Sequence, residues 1–312
     1  MNKLNDLLYV RFSVPDLEAQ AQFLENFGLT TFVEDNVLYG RGTDADPFVY
    51  CATEGEAKFL ALGLEADSSD ALADIAAIDD VTIESSPLKG IDSVATFTDP
   101  DGFTIELVHG VSRADGLPVP SRNELNDGET RPRQGARVVF DDKPCTVKRL
   151  GHTVLAVSNF RASEAWYKER FGFLTSDEIY AGTEENVMGA FMRVDRGEEY
   201  VDHHTLFLLG TGSPGFNHAA FEIANWDTLM AGHYSLKEAG YQHSWGIGKH
   251  LLGSQVFDYG KILATLSLST SLTETFSTQV LVQKKPQLIN SLAPTGVLKV
   301  DLLSVQPNGR SL

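Results

Sequence analysis

Apolar and polar positions alternate over residues 7–14 as in a half-buried strand, then change to helical spacing at Leu17, Ala21 and Leu24 behind Asp16, a residue suited to capping a helix. Gly28 ends that helix. The runs at 36–40, 48–50 and 59–64 predict short strands, 70–77 a second helix, and 94–97 with 103–107 a closing hairpin turned by Asp99-Pro100-Asp101-Gly102. The same order then returns. Phe12-Ser13-Val14-Pro15-Asp16-Leu17 is echoed by Leu155-Ala156-Val157-Ser158-Asn159-Phe160, and Phe27-Gly28-Leu29 by Phe171-Gly172-Phe173. A repeat of this kind constrains a fold more tightly than composition does.

In the second copy the pattern predicts a strand over 147–157, a helix over 161–170, strands at 187–194, 203–209 and 218–223, a helix over 226–239, and the start of a closing hairpin at 255–259. Between the copies, residues 113–144 mix proline, arginine, glycine and acidic residues without a period, which marks an irregular connector. The chain therefore divides into a first module at 1–112, the connector at 113–144, a second module at 145–259 and an atypical tail at 260–312. Gly246 and Gly248 are expected to shape a loop rather than a phosphate cradle, because no helix start and no lysine-serine pair follow them.

The tail breaks the repeat. From Gly260 the chain becomes rich in Ser, Thr and Leu where the first copy has Asp-Pro-Asp-Gly and then Phe103-Thr104-Ile105-Glu106. Restoring one T between the codons of Tyr259 and Gly260, with suitable synonymous codons, turns the downstream residues into Trp-Lys-Asp-Pro-x-x-Phe-Lys-Leu-Glu. That string holds the missing turn and the missing glutamate, so 260–312 reads as an out-of-frame tail, which the encoding DNA can test. On this reading the second module lacks its closing strand and leaves a sheet edge open.

Laying the copies on each other sets His152 opposite Tyr9 and His218 opposite Ala61, so metal-binding chemistry belongs to the second copy. The charge of -18 argues against nucleic acid or an anionic membrane as partner. With 312 residues, 42% of them hydrophobic, there is material for two cores. No stretch is long enough to span a bilayer and the N-terminus lacks a signal-peptide pattern, so the expected compartment is the cytoplasm. Cys51 and Cys145 form no disulfide framework and read as buried thiols.

These residues resemble the vicinal-oxygen-chelate superfamily, which includes glyoxalase I, bleomycin-resistance proteins and the type I extradiol ring-cleavage dioxygenases. Leu150-Gly151-His152-Thr153 and Phe216-Asn217-His218-Ala219-Ala220-Phe221-Glu222 carry the resemblance, and ligands confined to the second of two modules look like the dioxygenase branch. It implies an α+β fold of two tandem βαβββ-repeat modules, the second with a disrupted C-terminal hairpin. It also implies iron(II), or alternatively manganese(II), on two histidines and a carboxylate, a set that leaves positions open for other ligands. His152 and His218 match the histidines, and the carboxylate falls at the position of Ser269. Glu106 is the first copy's equivalent, expected to be structural because Tyr9 and Ala61 cannot complete a site.

The resemblance further assigns His204 as acid/base, and His250 and Tyr259 as partners of the substrate hydroxyls. Residues 202–206 are expected on a strand, with His204 turned inward and His203 outward. Trp166, Tyr167, Phe171 and Phe173 are expected in the core, and His109, His233 and His243 at the surface. The implied substrates are a catechol-type diol and dioxygen, with cleavage beside the two hydroxyls, and a homo-oligomer is compatible with the family. The missing carboxylate implies weak iron binding and little turnover. The competing readings are a glyoxalase-like isomerase or thiol transferase, disfavoured by Tyr9 and Ala61, and a non-catalytic small-molecule binding protein.

Overall fold

The computed structural model describes residues 3–121, 128–129, 131, 144–241, 243–250, 255–261, 275–280 and 298–301, and from 261 onward only the course of the backbone. The first repeat is itself two βαβββ units: β1 (Leu4–Val14), α1 (Leu17–Phe27), β2 (Thr30–Glu34), β3 (Val37–Arg41) and β4 (Tyr50–Glu54), then β5 (Lys58–Ala66), α2 (Ser69–Ile78), β6 (Ile83–Ser85), β7 (Ile91–Thr98) and β8 (Thr104–Val111). The second repeats the plan: β9 (Val147–Val157), α3 (Phe160–Phe171), β10 (Leu174–Tyr180), β11 (Val187–Arg193) and β12 (Leu206–Gly210), then β13 (Gly215–Ile223), α4 (Trp226–Glu238), β14 (His243–Lys249), β15 (Val256–Lys261) and β16 (Thr275–Val280). A further strand, β17 (Leu298–Asp301), pairs in parallel with β10.

Each repeat makes one sheet whose centre is an antiparallel pair formed by the opening strands of its two units, β1 with β5 and β9 with β13. The helices start where the sequence predicts, because side chains at Asp16, Ser68, Asn159 and Asn225 accept from backbone amides of the first turn. Gly28 closes α1 at φ 105°, a left-handed conformation that a side chain resists, and a Cβ there would lie 2.0 Å from the carbonyl oxygen of Cys145. The joint between the repeats is apolar: Phe216 stacks on Phe59 at 4.5 Å and meets Phe12 edge-on at 5.3 Å, while Phe27 meets Phe221 at 5.5 Å. Tyr167, Phe171 and Phe173 are buried as expected, and so are the two free thiols, Cys51 and Cys145.

The open sheet edge expected after Tyr259 does not occur. β16 runs parallel to β13 and antiparallel to β15, taking the place that β8 takes between β5 and β7. The hairpin is nonetheless interrupted, since 262–274 separates β15 from β16 where only five residues separate β7 from β8. Backbone pairing satisfies an edge whatever side chains it carries, so a strand rich in Ser and Thr can close the sheet.

Two further expectations are corrected, and two strands were not foreseen. Gly246 and Gly248 lie on a strand, β14, rather than a loop; Gly246 takes φ 75° at a register shift, and the Phe257 ring covers Gly248 closely enough that a Cβ would lie 2.4 Å from it. His203 and His204 precede β12 instead of lying on it, so strand alternation does not separate them. β2 and β10, rich in polar residues, carry too weak an apolar alternation to be read from sequence.

Candidate metal centre

Pairing register supports the alignment of the two copies. Tyr9 faces Gly63 and Arg11 faces Ala61 across β1 and β5; His152 faces Ala220 and Val154 faces His218 across β9 and β13. Tyr9 therefore occupies the position of His152, and Ala61 that of His218. In the first copy the site is filled from within: the Tyr9 hydroxyl donates to Glu106 at 2.6 Å, and the Arg11 guanidinium pairs with the other oxygen of the same carboxylate. Glu106 is thus held by protein donors, in keeping with a structural carboxylate.

In the second copy the sheet brings five side chains together. The rings of His152 and His204 lie 4.0 Å apart, those of His152 and His218 5.6 Å, and those of His218 and Tyr259 5.2 Å. The Tyr259 hydroxyl reaches His218 Nε2 at 3.4 Å and His250 Nε2 at 3.3 Å. His152 is 3% exposed and His204 5%, and both line a small cavity with Gly151, Asp202, Glu222 and Gln255. Burial, reinforced by the neighbouring imidazoles, holds His152 and His204 well below the usual histidine range. The same causes lower His218 to about 3, and burial lowers His250 to about 4. All four rings are neutral at pH 7, the state in which an imidazole can ligate a metal or accept a proton.

Hydrogen bonds select the tautomers. Asp177 Oδ2 lies 2.6 Å from His203 Nε2, and a carboxylate only accepts, so Nε2 carries the proton. With His203 neutral, its Nδ1 accepts from His204 Nδ1, 3.1 Å away, which leaves the His204 Nε2 lone pair free. His203 is therefore part of a chain from Asp177 to His204, not an outward-facing residue. Asn217 Oδ1, 2.8 Å from His218 Nδ1, likewise accepts its proton and leaves Nε2 unprotonated toward Tyr259. Asn217 adjoins His218 and could have been noticed in the sequence, whereas Asp177 lies 26 positions from His203 and only the fold joins them.

The carboxylate of a two-histidine, one-carboxylate set is missing among the described residues. Gly63 pairs with Glu106 in the first copy, and the corresponding Ala220 pairs with Ser277, so Ser277 takes the glutamate's register position; Ser269 lies outside the described residues. Glu222 and Asp202 are close to His152 but committed elsewhere: Arg149 bonds Glu222 at 2.8 Å and Asp202 at 2.6 Å, and Lys148 bonds Glu222 at 3.1 Å. The donors at hand thus fit two of the three positions that iron(II) takes in such sites. His233 and His243, expected at the surface, are instead partly buried against Asp258.

A family model described as the Glyoxalase/Bleomycin resistance protein/Dioxygenase superfamily matches residues 149–260. Metapyrocatechase 2 of Cupriavidus necator is 30% identical over 250 residues, which cover 79% of this chain and 74% of that protein. The fold is similar to the 2,3-dioxygenase LapB from Pseudomonas sp. KL28, with a TM-score of 0.75 at 15% identity over 97% of this chain and 99% of that one. It is also similar to homoprotocatechuate 2,3-dioxygenase from Brevibacterium fuscum in complex with 3,4-dihydroxyphenylacetate (TM-score 0.72, 16% identity, 96% and 86%). The Mn(II)-bound glyoxalase from Novosphingobium aromaticivorans gives a TM-score of 0.69 at 20% identity over 91% and 84%. With its tandem βαβββ sheets and its histidines gathered on the second of them, the chain belongs to the glyoxalase/bleomycin resistance/dioxygenase superfamily, in its extradiol ring-cleavage dioxygenase branch.

Proposed function

We propose that the second sheet binds a catechol-type aromatic diol and is built for ring cleavage beside the two hydroxyls, with His152 and His218 as the protein's metal ligands. The convergence of His152, His218, His204, His250 and Tyr259 carries this reading. A divalent ion held there, iron(II) or alternatively manganese(II), would supply a Lewis acid and a point of attachment for dioxygen. The chain's own residues handle the protons. His204, neutral and with its Nε2 lone pair free, takes a proton from a diol hydroxyl and can return it to product. His250 and Tyr259 orient the second hydroxyl.

With no carboxylate on the closing strand, iron binding is weak and turnover small. Iron-loaded protein mixed with catechol should therefore give little of the yellow ring-cleavage product, and Ser277→Glu should raise both iron retention and product formation while Ser269→Glu does not. Ring cleavage by the unaltered chain at rates ordinary for enzymes, about 10 per second, would overturn the deficit. Failure of catechols to bind at all would overturn the diol site itself. The absent carboxylate also favours a second reading, a protein that holds a diol without cleaving it, which binding without product would identify.

A further inference from the structure

α4, β14 and β15 meet at a cluster that plays no part in the diol site. His233 projects from α4, His243 opens β14 and Asp258 sits within β15. The two imidazoles stack at 4.1 Å with planes 19° apart, and each directs Nδ1 at a different oxygen of the Asp258 carboxylate, at 3.0 Å for His233 and 3.5 Å for His243. The three ligand atoms lie within 4.8 Å of one another, and no other group of three histidine, cysteine or acidic residues among the described residues is so disposed.

We propose that His233, His243 and Asp258 form a second divalent-cation site, of zinc type, that staples α4 to the β14–β15 hairpin. Their spacing suits one ion. Bonds of 2.0–2.1 Å in a tetrahedron set neighbouring donor atoms about 3.3 Å apart; His233 Nδ1 lies 3.0 Å from Oδ2, and His243 Nδ1 faces the other carboxylate oxygen at 3.5 Å. Small rotations of the two rings would turn both lone pairs onto one ion. Two imidazoles and a carboxylate are borderline donors suited to zinc, with water in the fourth position. Access is open on the histidine side: the His233 and His243 side chains keep 19% and 24% of their surface exposed, against 5% for Asp258.

Without an ion, the arrangement leaves a polar atom unsatisfied. Both Nδ1 atoms point at one carboxylate, and His243 Nε2 is buried with no hydrogen-bond partner among the described residues. Coordination through Nδ1 would place the His243 proton on Nε2. Asp258 immediately precedes Tyr259, and β14 leads into His250, so the staple would fix the hairpin that presents both residues to the diol site.

The test uses the full chain carrying His152→Ala and His218→Ala, which removes the first pair of imidazoles, stripped by chelator and titrated with zinc against a chromophoric chelator. One equivalent of zinc should bind, with a rise in melting temperature; cobalt(II) in its place should give the visible bands of a tetrahedral site. Adding Asp258→Asn or His243→Gln should abolish the equivalent, the bands and the rise. His243→Gln, at a partly exposed strand end, keeps the measurement informative if the change at Asp258 disturbs folding. No zinc uptake by the parent would overturn the proposal and mark the cluster as a plain histidine–aspartate clamp; uptake that survives both substitutions would overturn it as well.

Discussion

Tyr259 joins His218 to His250 through a single hydroxyl, which is 3.4 Å from one and 3.3 Å from the other. Removing it as Tyr259→Phe keeps the ring and its packing, so stability should change little. Diol affinity should fall roughly tenfold, about the 1.4 kcal/mol of one hydrogen bond in a partly buried site; titration calorimetry with a catechol checks this. Asp177→Asn has a different signature. It replaces an acceptor-only carboxylate with an amide that can also donate, so the His203 and His204 tautomers are no longer fixed; it should lower product formation by the Ser277→Glu protein while leaving diol affinity within about twofold, because nothing touching the diol is lost. His204, His250 and Tyr259 follow from the family resemblance, whereas His152 and His218 could be named from the sequence because the repeat supplies a blank copy against which to compare them. Asp177 and the His233–His243–Asp258 cluster could not, because their partners come from elements that only the fold brings together.

The helix caps and central strands of both sheets were legible, since capping side chains, glycine stops and apolar periods are local signals. The ends of polar strands and the fate of the tail were not. A strand's place depends on which edge is free to receive it, and β16 comes after a gap of 262–274 that no local pattern anticipates. Gly28 makes the energetic weight of one local signal testable. Gly28→Ala forces a side chain into a left-handed backbone and against the Cys145 carbonyl, and should cost about 2 kcal/mol or more in urea unfolding, beyond the ordinary ~1 kcal/mol of a strained turn.

Across the whole molecule, the four imidazoles of the diol site tie stability to pH. Each folded-state value is depressed below the unfolded 6.5, so the stabilisation is complete above about pH 6.5. It is lost as pH falls through the folded values, about 4 for His250 and about 3 for His218. The midpoint of urea unfolding should therefore drop as pH is lowered from 6.5 toward 4, and the double variant His152→Ala, His218→Ala should show a shallower drop. The joint between the sheets offers one more lever. Tyr167 donates to Asp99 at 3.0 Å, and Ser158 donates its backbone amide to Asp101 at 3.0 Å, so the first copy's Asp-Pro-Asp-Gly turn grips the start and middle of α3.

That grip has no mirror image. Counting from the helix caps, Pro15 stands where Ser158 would offer an amide, and Leu24 where Tyr167 would offer a hydroxyl. A turn of the second copy at the equivalent place would find neither donor beside α1. A chain whose frame shifted after Tyr259 would keep this grip, since every residue that makes it precedes the change.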